Sequence, residues 1–148
     1  MIKLIEILLI LILTSGNVKS QVTQEWSSRY GGSGIEGANS IATDLDGNVY
    51  VTGSDQLGSE KSLAIIKYSS SGQQLWIAKY IGNASGYNAG YSIKIDKMGN
   101  VIVTGTFFQL GTKQDIITLK YSAFGLRLWV NTYSSSGSHD DFSGNVVI

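Results

Sequence analysis

The three tryptophans of this 148-residue chain stand at Trp26, Trp76 and Trp129, 50 and 53 residues apart. Each opens the same short phrase: Trp26-Ser-Ser-Arg-Tyr30, Trp76-Ile-Ala-Lys-Tyr80 and Trp129-Val-Asn-Thr-Tyr133. Two further blocks keep nearly the same period. Ser40-Ile-Ala-Thr-Asp44-Leu-Asp46-Gly47-Asn48-Val-Tyr-Val-Thr-Gly53 returns 52 residues later as Ser92-Ile-Lys-Ile-Asp96-Lys-Met-Gly99-Asn100-Val-Ile-Val-Thr-Gly105. Lys67-Tyr68-Ser69, with Gly72 and Trp76 behind it, returns 53 residues later as Lys120-Tyr121-Ser122 with Gly125 and Trp129. Ordered blocks at a fixed period of about fifty residues specify a repeat architecture, in which one supersecondary unit cannot bury its apolar face alone and stacks on its neighbours.

The units fall at about 38–89 and 90–142, with partial units on either side. Each reads as four short strands, at 40–43, 48–52, 63–68 and 74–80 in the first copy. The runs are rich in Val, Ile, Tyr and Trp and are punctuated by Gly, Asn and Ser. Val49-Tyr-Val and Leu63-Ala-Ile-Ile do not alternate between apolar and polar, as expected where both faces of a sheet are covered. The expected fold is therefore all-β: about two full four-stranded antiparallel β-propeller blades plus partial flanking strands, forming an incomplete ring. Residues 26–30 are expected to be the last strand of a preceding blade, and 145–148 the opening strand of a following one. One tryptophan per blade would fill the wedge between sheets, its burial stabilising by roughly 3 kcal/mol.

Composition fits this reading. Gly 18, Pro 0 and 10% aromatic residues suit short strands and tight turns. The formal net charge of +0 offers no basic excess for nucleic acid. Cys 0 removes disulfides, thiol catalysis and zinc–thiolate sites together. Residues 1–20 have the layout of a secretory signal peptide: Lys3, an apolar run over 7–13, and Val18 and Ser20 ahead of a cut before Gln21. The run is too short to span a bilayer, which takes about 20 residues. Export, with no stable membrane insertion after cleavage, is the expectation, leaving 21–148 as the repeat segment.

At these words the sequence resembles the secreted bacterial β-propeller repeat (SBBP) family, on Ser-Ile-Ala-Thr-Asp44, Gly47-Asn-Val-Tyr-Val-Thr-Gly53, Ile66-Lys-Tyr-Ser-Ser-Ser-Gly72 and Leu75-Trp76. His139-Asp-Asp-Phe142 resembles the family's acidic lead-in to a next first strand. The resemblance implies an extracellular ring of seven blades, needing about 350 residues, so this chain is expected to be part of a longer reading frame. It carries structural positions (Trp26, Trp76, Trp129, Gly53, Gly105, Tyr68 and Tyr121) and no catalytic residue.

Sites for chemistry are few. Asp44, Asp46 and Asn48 have the alternating oxygens of a calcium loop. The second copy puts Met98 and Lys97 into that pattern, and no bidentate Glu follows, which favours an Asp/Gly/Asn turn. His139-Asp140-Asp141 contains the one histidine, too little for a metal centre or acid–base pair. Asn83-Ala-Ser85 fits a glycosylation sequon. The expected function is a non-catalytic, cofactor-free scaffold that binds a protein or glycan ligand through loops 54–62, 82–90 and 107–114, where the units differ most. The alternative is a fragment of an extracellular propeller enzyme, quinoprotein-like or glycan-active, with its catalytic residues in other blades. Exposed blade edges are expected to favour self-association.

Overall fold

The computed structural model describes residues 23–31, 34–82, 86–111, 113–136 and 139–148. The expected signal peptide and the Asn83–Ser85 sequon lie outside them. Eight strands form two antiparallel sheets in simple meander order: β1 Ile35–Thr43, β2 Val49–Leu57, β3 Glu60–Tyr68 and β4 Gln74–Ile81, then β5 Ala89–Ile95, β6 Val101–Gln109, β7 Lys113–Tyr121 and β8 Arg127–Tyr133. These are two blades, all-β as the repeat predicts.

Turn chemistry sets the hairpins. Gly47 donates to the Asp44 carbonyl at 3.2 Å while Asp44 donates to that of Asn48 at 3.1 Å. This is a type I turn closed by a glycine in the left-handed region, Gly47 at φ +77°. Gly72, Gly99 and Gly125 repeat the arrangement at φ +85°, +78° and +82°.

The strands are longer than expected. Ser54–Leu57 and Glu60–Ser62 continue β2 and β3 to a two-residue loop at Gly58-Ser59, and 107–109 and 113–114 likewise belong to β6 and β7. Most of the two stretches read as loops is therefore hairpin, held by cross-strand pairs such as Asp55↔Ser62 and Phe107↔Asp115. Residues 26–30 form no strand. They lie extended across the first blade, with Trp26 over Tyr68 at 6.1 Å between ring centroids. Residues 145–148 are also irregular, though the Val146 amide donates to Ser92 Oγ at 3.2 Å on β5.

The core lies between the blades. The first contributes Tyr50, Leu63 and Ile65, and the second Ile93, Val101, Val103, Phe107, Ile117, Leu119 and Tyr121, all buried. Each fully buried aliphatic side chain among them stabilises by roughly 2 kcal/mol over its exposed state. The innermost strands of the two blades meet, and Asn39 Nδ2 on β1 donates to the Gly90 carbonyl on β5 at 2.9 Å. β3 is buried almost throughout, whereas β7 alternates because one blade covers a single face of it.

Candidate functional site: the two ends of the blades

At one end stand the repeated aspartate turns. Asp44 Oδ1 accepts from the amides of Asp46 and Asn48 at 3.1 and 2.9 Å, and its Oδ2 from Asn48 Nδ2 and the Tyr50 hydroxyl at 2.9 and 3.0 Å. Lys67 Nζ stands 3.7 Å away. Asp96 repeats this with the amides of Met98 and Asn100, the Asn100 side chain, and Lys120 Nζ at 2.9 Å. Burial acts to raise both carboxyl pKa values. The Asn, Tyr50 and Lys67 partners outweigh it at Asp44, as do Asn100, Lys120 and the Met98 amide at Asp96, and both sit below the ordinary carboxylate range. Burial and the bond to Asp44 push the Tyr50 hydroxyl up.

The residues of the calcium reading, Asp44, Asp46 and Asn48, are thus together, but the Asp44 oxygens already hold four donors and face an ammonium. The arrangement closes a hairpin and ties β3 to it. Among the described residues no cluster of three or more His, Asp or Glu side chains is placed to hold a metal ion.

Of the three tryptophans, Trp76 acts between the two blades. Trp76 packs edge-on against Tyr50 at 6.0 Å, and its Nε1 donates to the Ala123 carbonyl in the β7–β8 turn at 3.0 Å. A Cβ on Gly125 in that turn would lie 2.9 Å from the indole, so only glycine lets the ring down onto the backbone. Trp26 stands the same way over Gly72, 2.7 Å from a Cβ placed there. Trp129 is 40% exposed. Lys67 joins the contact by donating to the Ala123 carbonyl at 3.4 Å and lying 4.8 Å from the Tyr50 ring centre. Between the aspartate turns a cleft of about 1050 Å³ opens over Trp76 and Lys67, with Leu45, Met98 and Phe124 exposed along it.

Gly53 and Gly105 have a steric role. A Cβ on Gly53 would come 1.8 Å from the Gly37 carbonyl oxygen, and one on Gly105 2.1 Å from that of Ala89. Both face the register shift in the neighbouring inner strand, Ala38/Ser40 in one blade and Gly90/Ser92 in the other. Tyr68 and Tyr121 are equivalent buried positions on the same sheet faces.

The opposite end carries the β2–β3 and β6–β7 hairpins and Asn88, and here the blades differ. Asp55 is buried and accepts from the Tyr30 hydroxyl at 3.1 Å and from Lys79. The bond to Asp55 raises the Lys79 pKa against the effect of burial, and burial raises that of Tyr30. In the second blade the corresponding contact is apolar, Tyr80 edge-on to Phe107 at 6.0 Å. Asn88 is fully buried between the blades, donating to the Lys61 carbonyl at 2.6 Å and accepting from the Phe108 amide at 2.8 Å.

After β8, Asp141 takes a related place, its amide donating to the Gln114 carbonyl at 2.7 Å and its carboxylate accepting from the Ser135 amide at 2.7 Å. Asp140 accepts from the Gln114 amide at 3.3 Å, and His139 is exposed. The acidic lead-in therefore tethers the chain. Sequence reasoning missed Asp55, Asn88 and the Lys67/Lys120 pair; the last was visible as a repeated Lys-Tyr-Ser word.

No match to this chain was found among curated proteins. A family model does match: residues 25–54, from the Trp26 phrase through β1 to Gly53 and Ser54, fit the beta-propeller repeat SBBP. The same phrase, bulged inner strand, aspartate turn and glycine recur at Trp76, Gly90/Ser92, Asp96 and Gly105. Over residues 25–54, then, the chain is similar to the SBBP beta-propeller repeat, and its two four-stranded sheets are arranged as propeller-type blades.

Proposed function

We propose that the chain is an exported scaffold and interaction module without catalytic activity or cofactor of its own, and that it holds a protein or surface-glycan ligand at the end bearing the β2–β3 and β6–β7 hairpins. One observation carries this reading: the two ends of the blades are under different constraints. At the aspartate-turn end both blades keep the same residues in the same hydrogen bonds, with Asp44 matching Asp96 and Gly47 matching Gly99. At the hairpin end Asp55 corresponds to Phe107, Lys61 to Gln114 and Ser62 to Asp115. Leu57, Tyr87 and Leu110 stand exposed there, apolar contact groups on rigid hairpins rather than on loose loops. A fixed core with variable hairpin tips is how a repeat scaffold acquires specificity.

The test is an array of surface polysaccharides and protein-linked glycans probed with the full-length chain. Binding that drops at least tenfold on Leu57→Ser plus Leu110→Ser, and is unchanged by Leu45→Ser plus Met98→Ser, supports the assignment. Binding lost only with the turn variants moves the site to the other end. Hydrolysis of any array member would replace the scaffold reading with the enzyme alternative.

A further inference from the structure

The cleft at the aspartate-turn end lies between the two blades, and both its walls are built from their own strands and turns. Leu45 stands on the β1–β2 turn, Met98 on the β5–β6 turn and Phe124 on the β7–β8 turn, all three exposed. None of them is needed to shape its turn. The closing bonds run between backbone groups, and from backbone amides to the side chains of Asp44, Asp96 and Ser122. Leu75 and Trp76 on β4 complete the apolar lining.

The cleft also carries a buried charge. Lys67 on β3 lines it with a side chain only 10% exposed. An ammonium has three hydrogens to donate. Among the described residues, Lys67 Nζ reaches the Ala123 carbonyl at 3.4 Å, longer than an ordinary hydrogen bond, and lies 4.8 Å from the Tyr50 ring centre. Asp44 Oδ2, at 3.7 Å, is beyond hydrogen-bond reach. The equivalent Lys120 sits on Asp96 at 2.9 Å. Lys67 is therefore drawn off its aspartate toward the neighbouring blade and keeps donor capacity beside apolar side chains. A carboxylate entering the cleft would meet it in a charge-assisted bond, shorter and stronger than the long contact to Ala123.

We propose that this cleft binds a small monocarboxylic acid with an apolar body, its carboxylate accepting from Lys67 Nζ and its body lying on Leu75, Trp76 and Phe124. The site is separate from the one at the hairpin end, and the two readings stand or fall independently. The volume of about 1050 Å³ is of the size that takes a small ligand. The charges on the walls limit the ligand to a single negative charge. Asp44 stands against Lys67 and Asp96 against Lys120, which leaves Asp46 and Lys97 in the lining without an ion pair among the described residues. A phosphate dianion would face three carboxylates, whereas one carboxylate matches the one buried ammonium. Asp46 opposes even that charge, so its removal should tighten binding.

The probe is hydrocinnamate, titrated into the isotope-labelled full chain and followed by NMR, with hydrocinnamyl alcohol as the uncharged control. Saturable shifts at the Met98, Ala123 and Phe124 amides, with the acid bound at least tenfold tighter than the alcohol, support the proposal. Lys67→Met should weaken the acid at least tenfold and leave the alcohol unchanged, the alcohol reporting that the cleft is intact. Asp46→Asn, on an exposed turn tip, should tighten the acid alone, and it carries the charge test if Lys67→Met does not fold. Phe124→Ser should weaken acid and alcohol together. Equal affinities for acid and alcohol overturn the proposal, as do shifts confined to the hairpin end or no saturable shift at all.

Discussion

The indole Nε1 of Trp76 on β4 donates to the carbonyl oxygen of Ala123, 47 residues further on in the β7–β8 turn, at 3.0 Å. The bond joins the outer strand of one blade to a turn of the next, and the ring lies on Gly125 with no Cβ between. Trp129 holds the same repeat position and is 40% exposed. The two tryptophans should therefore respond differently to the same change. Trp76→Ala is expected to destabilise by about 3 kcal/mol, the low end for a large-to-small change because the indole borders a cleft. Trp76→Phe should lose about 1 kcal/mol through the hydrogen bond. Trp129→Ala in the monomer should cost less than about 1 kcal/mol. Urea unfolding of the full chain at low concentration measures all three, and equal losses at 76 and 129 would remove the inter-blade latch.

Gly53→Ala and Gly105→Ala test close approach rather than backbone conformation. Their added methyls would meet the Gly37 and Ala89 carbonyl oxygens at 1.8 and 2.1 Å. Overpacking of this kind is expected to cost about 2–3 kcal/mol at each site, with the bulged inner strand forced outward. Gly58 is the control: its φ is +63°, but a Cβ there meets nothing within 4 Å. Gly58→Ala should therefore cost only about 1–2 kcal/mol, the strain of the left-handed region. Thermal melts of the three variants rank them directly, and a Gly58 loss matching the other two would refute the steric account.

What was legible in the sequence was what repeats or folds locally. The Trp phrase, the Asp-x-x-Gly-Asn turn and the Gly of the second strand each recur, and turn chemistry acts within five residues, as between Asp44 and Asn48. The hairpin extensions were not legible. Ser54-Asp55-Gln56 has weak strand propensity, and it is strand because β1 continues beside it, pairing Glu36 with Asp55 and Gly37 with Ser54. Asn88 carries no local signature, since its partners Lys61 and Phe108 lie 27 and 20 residues away on different blades. Gly53 was recognisable as a repeated glycine, but the carbonyl that requires it belongs to another strand.

The aspartate turns predict indifference to calcium. The four donors on Asp44 would have to be given up, and Lys67, 3.7 Å from Oδ2, repels a divalent cation. Asp96 has Lys120 at 2.9 Å. Calcium in the millimolar range should leave the melting temperature unchanged relative to chelator. A rise of several degrees that Asp46→Asn abolishes would restore the calcium loop.

The same turns give a stability profile with two limbs. Asp44 and Asp96 have folded-state pKa values below the ordinary one, where Asn, Tyr50 and lysine partners outweigh burial. A depressed carboxyl contributes stability that is present above the unfolded pKa, about 3.9 for Asp, and lost as pH falls through the folded value. Stability should therefore hold from neutral pH down to about 5 and decline below about 4. Tyr50 works in the opposite direction: burial and its bond to Asp44 raise its pKa, so its contribution is present below about 10 and lost as pH rises beyond that. Urea midpoints across the pH range should then form a plateau with an acid and an alkaline shoulder. Asp96→Asn should lower the plateau and flatten the acid shoulder. Tyr50→Phe should lower the plateau and soften the alkaline one, incompletely, because burial raises Tyr68 and Tyr121 as well. An acid shoulder as steep in Asp44→Asn plus Asp96→Asn as in the wild type would assign acid sensitivity to other carboxylates and leave these turns as geometry alone.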